Sequence, residues 1–405
     1  MRMQRLLGLA ALAAALACGT AQAQQINVKI GVLTDMASLY ADDTGPGSVA
    51  AAKLAAQDFM KDHPNVKVEV ISADHQNKAD VGVQIVNQWI DVDHVDMIAD
   101  VPNSGVALAI APVVAQKNKV FVASGPASSD LTGPKCQPTT IHMTYDTWML
   151  ANGTGKAIVK TGGDTWFFLT SDYAFGHALE RDTAAVVKAN GGKVLGAVRH
   201  PINTSDFSSF LLQAQQSKAK IIGLANAGGD TINAIKQGAE FGIVAGGQKF
   251  AGLLVFAPDV AALGLKTAQG LQFTETFYWD LNDGTRAWTK RWDKERNAAG
   301  KLPSMNMAGV YAGTMHYLKA VAALKSAADG KAVVAEMKKL PTDDPVFGKG
   351  TIRADGRALH PAYLFEVKKP EESKYPGDLY KLKATIPADE AFRPLKDGGC
   401  PMVSG

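Results

Sequence analysis

The feature that most constrains this chain is a twice-repeated alternation of short apolar runs with stretches of helical spacing. Residues 28–33, 67–72, 95–101 and 119–123 read as strands, and residues 47–59, 81–89 and 105–116 as the helices between them. After a connecting stretch the pattern restarts. Strands are expected over 165–170, 194–198, 220–225 and 252–256. Helices are expected over 176–190, from a Ser205 cap to about 217, and over 230–241. Short apolar strands separated by helices imply parallel sheets covered on both faces. The fold class is therefore α/β, with two consecutive doubly wound units of similar size.

The remainder breaks this rhythm. An extended run at 271–278 precedes helices at 286–297, 305–326 and 332–340. A hairpin is expected from 350–353 and 362–367 around Ala354-Asp355-Gly356. So few strands cannot make a third domain, and they serve better to complete the first two. That requires crossings near Tyr145, Phe277 and Gly348, with no Pro/Gly/Ser-rich linker between independent domains. The expected division is residues 24–144 with about 279–347 in one lobe, 145–278 with about 348–390 in the other, and a tail at 391–405.

Arg2 and Arg5 precede an apolar stretch at 6–17, and Ala21-Gln22-Ala23 follows as a small-x-small site. This order reads as a secretory signal peptide over 1–23, cleaved after Ala23, with lipidation of Cys18 as the rival reading. No other segment reaches the roughly 18 apolar residues of a membrane span. The formal charge of +3 loses Arg2 and Arg5 on processing, which leaves about +1 with scattered basic residues. No footprint for nucleic acid or an anionic membrane is expected. Cys136 and Cys400 remain, and in an oxidising compartment they read as a disulfide that ties back the tail, or else as two free thiols. Two sulfurs and dispersed histidines do not suggest a metal site.

Doubly wound sheets bind ligands beyond the carboxyl ends of their strands. The loops there run Pro102-Asn103-Ser104 and Ser124-Gly125-Pro126-Ala127 in the first unit, and Tyr173-Ala174-Phe175 and Asn226-Ala227-Gly228 in the second; Tyr40 follows the first strand. Small hydroxyl and backbone donors at helix starts suit a carboxylate, and the aromatics suit an apolar ligand body. Helix capping by Asn103 or Ser104 is the plainer alternative. Asp42-Asp43 and Asp343-Asp344 read as solvated loop pairs.

Taken in order, Lys29 to Thr34, Ala50 to Phe59, Asn103-Ser104, Ser124 to Thr132 and Ser171 to Gly176 resemble the leucine/isoleucine/valine-type periplasmic binding proteins. The resemblance implies a type I periplasmic-binding fold, with two lobes joined by a three-crossover hinge and closing on a ligand. It also implies an ABC-importer permease as membrane partner, and carboxylate contacts at Ser104, Gly125 and Ala127. The stretch matching that family's ammonium-binding Glu reads Leu253 to Asp259, with Phe256 inside it and only Asp259 acidic. A buried ammonium without a partner is costly, so a carboxylate lacking an α-amino group is expected. Likeness to the aromatic-acid-binding subgroup over Thr274 to Trp279 and Asp283 to Arg286 favours an aromatic or apolar acid, with a branched-chain amino acid as the alternative.

Motifs for catalysis are missing: there is no Gly-x-Ser-x-Gly elbow, Walker loop or His-Glu-x-x-His. Gly45-Pro46-Gly47 lies well past the first strand, and Pro46 lacks the N–H a pyrophosphate would need. The expectation is a monomeric binding protein with no cofactor and no enzymatic activity. A ligand sensor with a separate membrane partner, or an unrecognised hydrolase, stands as the alternative class.

Overall fold

The computed structural model describes residues 25–403, so the expected leader and its Cys18 lie outside the described residues. Strands β1 (Ile26–Thr34), β2 (Val66–Asp74), β3 (Met97–Asp100), β4 (Val120–Ala123) and β5 (Thr140–His142) form a parallel sheet in the order β2-β1-β3-β4-β5. Strands β6 (Thr165–Ser171), β7 (Lys193–His200), β8 (Ile221–Ala225) and β9 (Lys249–Gly252) form a second, in the order β7-β6-β8-β9. Every residue of β3, β4 and β8 is buried, which is why those runs carry no polar alternation. Both sheets reverse direction of winding beside their first strand, between β1 and β3 and between β6 and β8. Those are the topological switch points where such folds take ligands.

The helix Gly45–Asp62 starts with Pro46 in its first turn, where proline's missing N–H is harmless. It packs on the later helices Asp283–Arg296 and Met305–Leu324, which complete the first lobe. Gly47 makes that approach possible: a Cβ there would lie 2.4 Å from Met307 Cε, and its carbonyl accepts from Trp292 Nε1 at 2.9 Å.

Strand β10 (Gln272–Glu275) belongs to a third sheet, antiparallel, that shares its apolar core with β6 and β8. Strands β11 (Thr342–Asp344), β12 (Gly348–Ile352) and β13 (Ala358–Leu359) form a small antiparallel sheet. Strand β14 (Ala362–Val367) pairs with β10 and with β15 (Tyr380–Ile386). Two expectations need correction here. The partner of 348–352 across the Asp355-Gly356 turn is β13, whereas 362–367 pairs with β10. Arg357 bridges His142 of β5, so residues 348–359 stay with the first sheet. The third crossing therefore falls at His360-Pro361, where His360 Nε2 lies 3.0 Å from the Met143 carbonyl of the first crossing. Side-by-side crossings are the physical basis of a stiff hinge.

Three local expectations also change. The strand expected at 252–256 ends at Gly252, because Pro258 opens the helix Ala257–Leu263. Ser205 caps nothing: the helix runs Ser208–Gln216, and Asp206 accepts from Ser208 N at 2.9 Å instead. Asp344 is half-buried rather than solvated, accepting from Val346 N and Phe347 N, and burial raises its carboxyl to about 6. The Cys136–Cys400 disulfide is formed and spans 264 residues.

Candidate ligand-binding cleft

The loops leaving the carboxyl ends of β1, β3 and β4 face those leaving β6, β8 and β9. Tyr40, Pro102, Gly125, Ala127 and Tyr145 meet Tyr173, Phe175, Ala227, Leu254 and Phe256 across the gap. Asp43 and Asn306 complete the wall. Only about 10 Å³ of space remains between them, so the lobes are shut on one another. The Tyr40 and Tyr173 hydroxyls hydrogen-bond across the gap at 2.5 Å. Burial, then the neighbouring phenol, pushes the Tyr40 hydroxyl well above its ordinary range, and burial raises Tyr173 too, so both keep their protons. Beside them Gly229 N lies 3.4 Å from the Leu39 carbonyl.

Asp35 builds the loop that presents Tyr40. Its carboxylate accepts from Ser38 N at 2.8 Å, Tyr40 N at 2.9 Å and Asn77 Nδ2 at 2.8 Å. Burial would raise this carboxyl, yet those donors together hold it below its ordinary value. Tyr145 is fixed from two sides. Its hydroxyl donates to the Gly125 carbonyl at 2.7 Å, and its own carbonyl accepts from Arg357 Nη1 at 2.8 Å. Arg357 is fully buried, and burial lowers it to about 10 despite Asp146 nearby at 3.6 Å. Phe256 stands edge-on to Tyr145, with ring centroids 6.3 Å apart.

The backbone at the end of β3 carries positive φ at two non-glycine residues, Asp100 (+75°) and Val101 (+65°). For a β-branched residue this conformation is strained, and it sits where the chain turns into the cleft. Asn103 then caps the helix Ser104–Gln116, its Oδ1 accepting from Gly105 N at 2.9 Å and Val106 N at 3.1 Å. Its side chain is thus committed to the cap rather than to the cleft wall. Ser104 Oγ accepts from Ala127 N and Ser128 N, each at 3.2 Å, and so joins the β3 and β4 loops.

Of the residues singled out in the sequence, Tyr40, Gly125, Ala127, Tyr173, Phe175, Ala227 and Phe256 come together at the wall. Ser104 and Ser124 are fully buried behind it. Asn226 is occupied elsewhere, accepting from Thr231 Oγ1 at 2.7 Å and contacting His200 Nε2 at 3.0 Å. Gly228 touches the opposite lobe: a Cβ there would lie 2.5 Å from the Leu39 carbonyl. Sequence reasoning missed Leu254, Asn306, Tyr145, which it read only as a crossing point, and, above all, Asp43. Asp43 is 2% exposed, against the solvated reading of Asp42-Asp43. Its presence in the wall also removes the premise that no carboxylate but Asp259 is at hand for an ammonium group. Asp259 itself is buried and accepts from Phe256 N at 3.0 Å.

A second contact between the lobes lies near the first crossing. Asp182, on the helix Ala174–Ala189, accepts from Ser129 Oγ at 2.7 Å and Thr147 Oγ1 at 2.6 Å, while Arg181 pairs with Asp130 at 3.0 Å. Among the described residues no cluster of three metal-ligating side chains occurs.

Two opposed switch points that close on a shared aromatic wall define a two-lobed solute-binding protein of type I architecture. Residues 27–374 match the periplasmic binding protein family, and the chain belongs to it. A solved periplasmic binding protein from Burkholderia mallei is 50% identical, over 93% of this chain and 99% of that one, with a TM-score of 0.89. A branched chain amino acid ABC transporter periplasmic ligand-binding protein from Burkholderia xenovorans LB400 is 39% identical, over 93% and 99%, with a TM-score of 0.80. The Leu/Ile/Val-binding protein homolog 6 of Brucella melitensis is 24% identical over 282 residues, 66% of this chain and 69% of that protein. Membership of this family implies a periplasmic location.

Proposed function

We propose that this chain is the solute-binding subunit of an ABC importer and holds a small carboxylate with an aromatic or apolar body between its closing lobes. The observation that carries the reading is the shared wall of Tyr40, Tyr145, Tyr173, Phe175 and Phe256, drawn from both lobes. Aromatic faces from two bodies meet only when the lobes shut, so a ligand that fills the space between them favours the closed state. The family resemblance puts the ligand carboxylate at the β3 and β4 loops, where Gly125 and Ala127 line the wall and Ser104 Oγ, accepting from Ala127 N and Ser128 N, joins the two loops behind it. The closed form then docks on a membrane permease, whose transport step empties the site.

The protein acts as a monomer in the periplasm after cleavage behind Ala23, and it releases its solute unaltered. A branched-chain amino acid is the second reading of the ligand, favoured by Asp43 in the cleft wall.

Thermal unfolding of the ligand-stripped mature protein against aromatic acids, 2-oxo acids and amino acids tests this. At about 100 times its dissociation constant a true ligand adds about 2.7 kcal/mol, enough to raise the midpoint by degrees. Failure of every carboxylate to stabilise the protein sinks the reading. Chemical conversion of a bound solute over hours sinks its non-enzymatic part.

A further inference from the structure

A cavity of about 740 Å³ opens at the amino ends of the second lobe's strands, at the far end of that lobe from the cleft. Lys220 precedes β8, Lys249 begins β9, and Lys266 lies on the short helix Leu265–Ala268; all three line the cavity. Ile158, Ile221, Ile235 and Leu271 are 4–8% exposed and make its apolar floor, together with half-buried Phe250. Ile221 lines this cavity and Ala227 lines the cleft, so the two lie on the order of 20 Å apart along β8. Every lining residue belongs to the second lobe, so the shape of the cavity does not depend on closure.

No aspartate or glutamate lines the cavity. Lys220 pairs with Asp164 at 3.0 Å. Gln272, also in the wall, donates to Glu366 at 3.1 Å, but that carboxylate already faces Lys381 and Lys383, each at 3.6 Å. Lys249 and Lys266 are exposed, and among the described residues neither pairs with a carboxylate. Charges of one sign around a concave apolar surface focus their field into it. An apolar molecule without charge would leave that field unused, and an organic cation would be repelled. Inorganic phosphate would leave the aliphatic floor in contact with water. A molecule anionic at one end and apolar at the other satisfies both features, and the volume falls within the roughly 300–1,000 Å³ of ordinary ligand pockets.

We propose that this cavity is a second ligand site, which takes a single-chain amphipathic anion with its head at Lys249 and Lys266 and its chain over Ile158, Ile221, Ile235 and Leu271. Its walls ride on one lobe, so occupation of this site does not require the lobes to shut. The proposal is independent of what the cleft binds.

Decanoate, decan-1-ol and decyltrimethylammonium are the probes, because they share a chain and differ in charge. Calorimetric titration of the full chain should show decanoate binding at least tenfold tighter than the other two, with the preference shrinking as salt is raised. Joint replacement Lys249→Glu and Lys266→Glu should weaken decanoate about tenfold or more by reversing two charges at the rim. Ala239→Trp, at an exposed position of the helix Gly229–Glu240 that lines the cavity, should weaken it similarly by filling the space. Phe256→Glu, in the cleft, should leave decanoate binding within about twofold. Absence of decanoate binding overturns the proposal, and so does equal binding of the cationic probe. Binding that survives both cavity variants overturns it too. Loss in Phe256→Glu with retention in the cavity variants assigns decanoate to the cleft and overturns it as well.

Discussion

Gly228 is the position where one methyl group should separate closure from folding. Its backbone sits at φ +56° and ψ −134°, a region that glycine enters freely and other residues do not. A Cβ would stand 2.5 Å from the Leu39 carbonyl oxygen and 3.3 Å from Tyr40 Cδ1, both on the opposite lobe. Gly228→Ala therefore carries two penalties. The backbone strain, about 1–3 kcal/mol, acts whether the lobes are open or shut. The contact with Leu39 acts only in the closed state and costs about 1–3 kcal/mol, in the range for overpacked sites. Only this second penalty enters the affinity, so solute binding should weaken by about ten- to hundredfold. Gly264→Ala is the control: its φ is +75°, and nothing lies within 4 Å of its added Cβ. Both variants should unfold at lower temperature, and only Gly228→Ala should lose affinity, as measured by calorimetry with a solute that stabilises the parent. Equal affinity in Gly228→Ala and the parent would refute the reasoning, because it would mean that the bound form does not bring Leu39 and Gly228 together.

Phe256→Glu places a charge against Tyr145 in the aromatic wall and should weaken solute binding at least tenfold in the same calorimetric assay; unchanged affinity would remove this loop from the site. Replacing Cys136 and Cys400 with Ser frees the tail from a 264-residue closure, and a loss of about 2–4 kcal/mol should appear as a midpoint several degrees lower. Asp100 is fully buried, and burial raises its carboxyl to about 7 against the hydrogen bond from Thr34. A raised folded value means that its stabilising contribution is complete below the unfolded value and is lost as pH rises through about 7. Asp100→Asn should therefore gain on the parent by on the order of 2 kcal/mol between pH 5 and pH 8, seen as diverging unfolding midpoints; a constant difference across that range would mean that Asp100 does not titrate there.

Much of this molecule is written locally. The strands β1 to β4 and β6 to β8, and the helices between them, follow from apolar periodicities that each segment carries in its own residues. Local too is the placing of Tyr40, Gly125, Tyr173 and Phe175 at the carboxyl ends of strands, because the end of an apolar run is visible in the chain. Asn103 shows the limit even there. Its position was legible, but whether it caps the helix or faces the cleft depended on which N–H groups its side chain reached.

What the tertiary structure decided lies in contacts between distant segments. Asp42-Asp43 reads as a polar loop pair, and nothing in its neighbours separates the exposed residue from the buried one. Asp43 is buried because Ser304, far along the chain, donates to its carbonyl, and because Gly228 and Asp259 close over it from the other lobe. The pairing of 362–367 with β10, rather than with the strand just before it, likewise depends on where the third crossing runs. A sequence specifies local periodicity through residues three or four apart, whereas the burial of a charge is specified by whatever folds over it. In this protein the fold class and most of the cleft wall belong to the first kind of information, and the burial of Asp43 between the lobes belongs to the second.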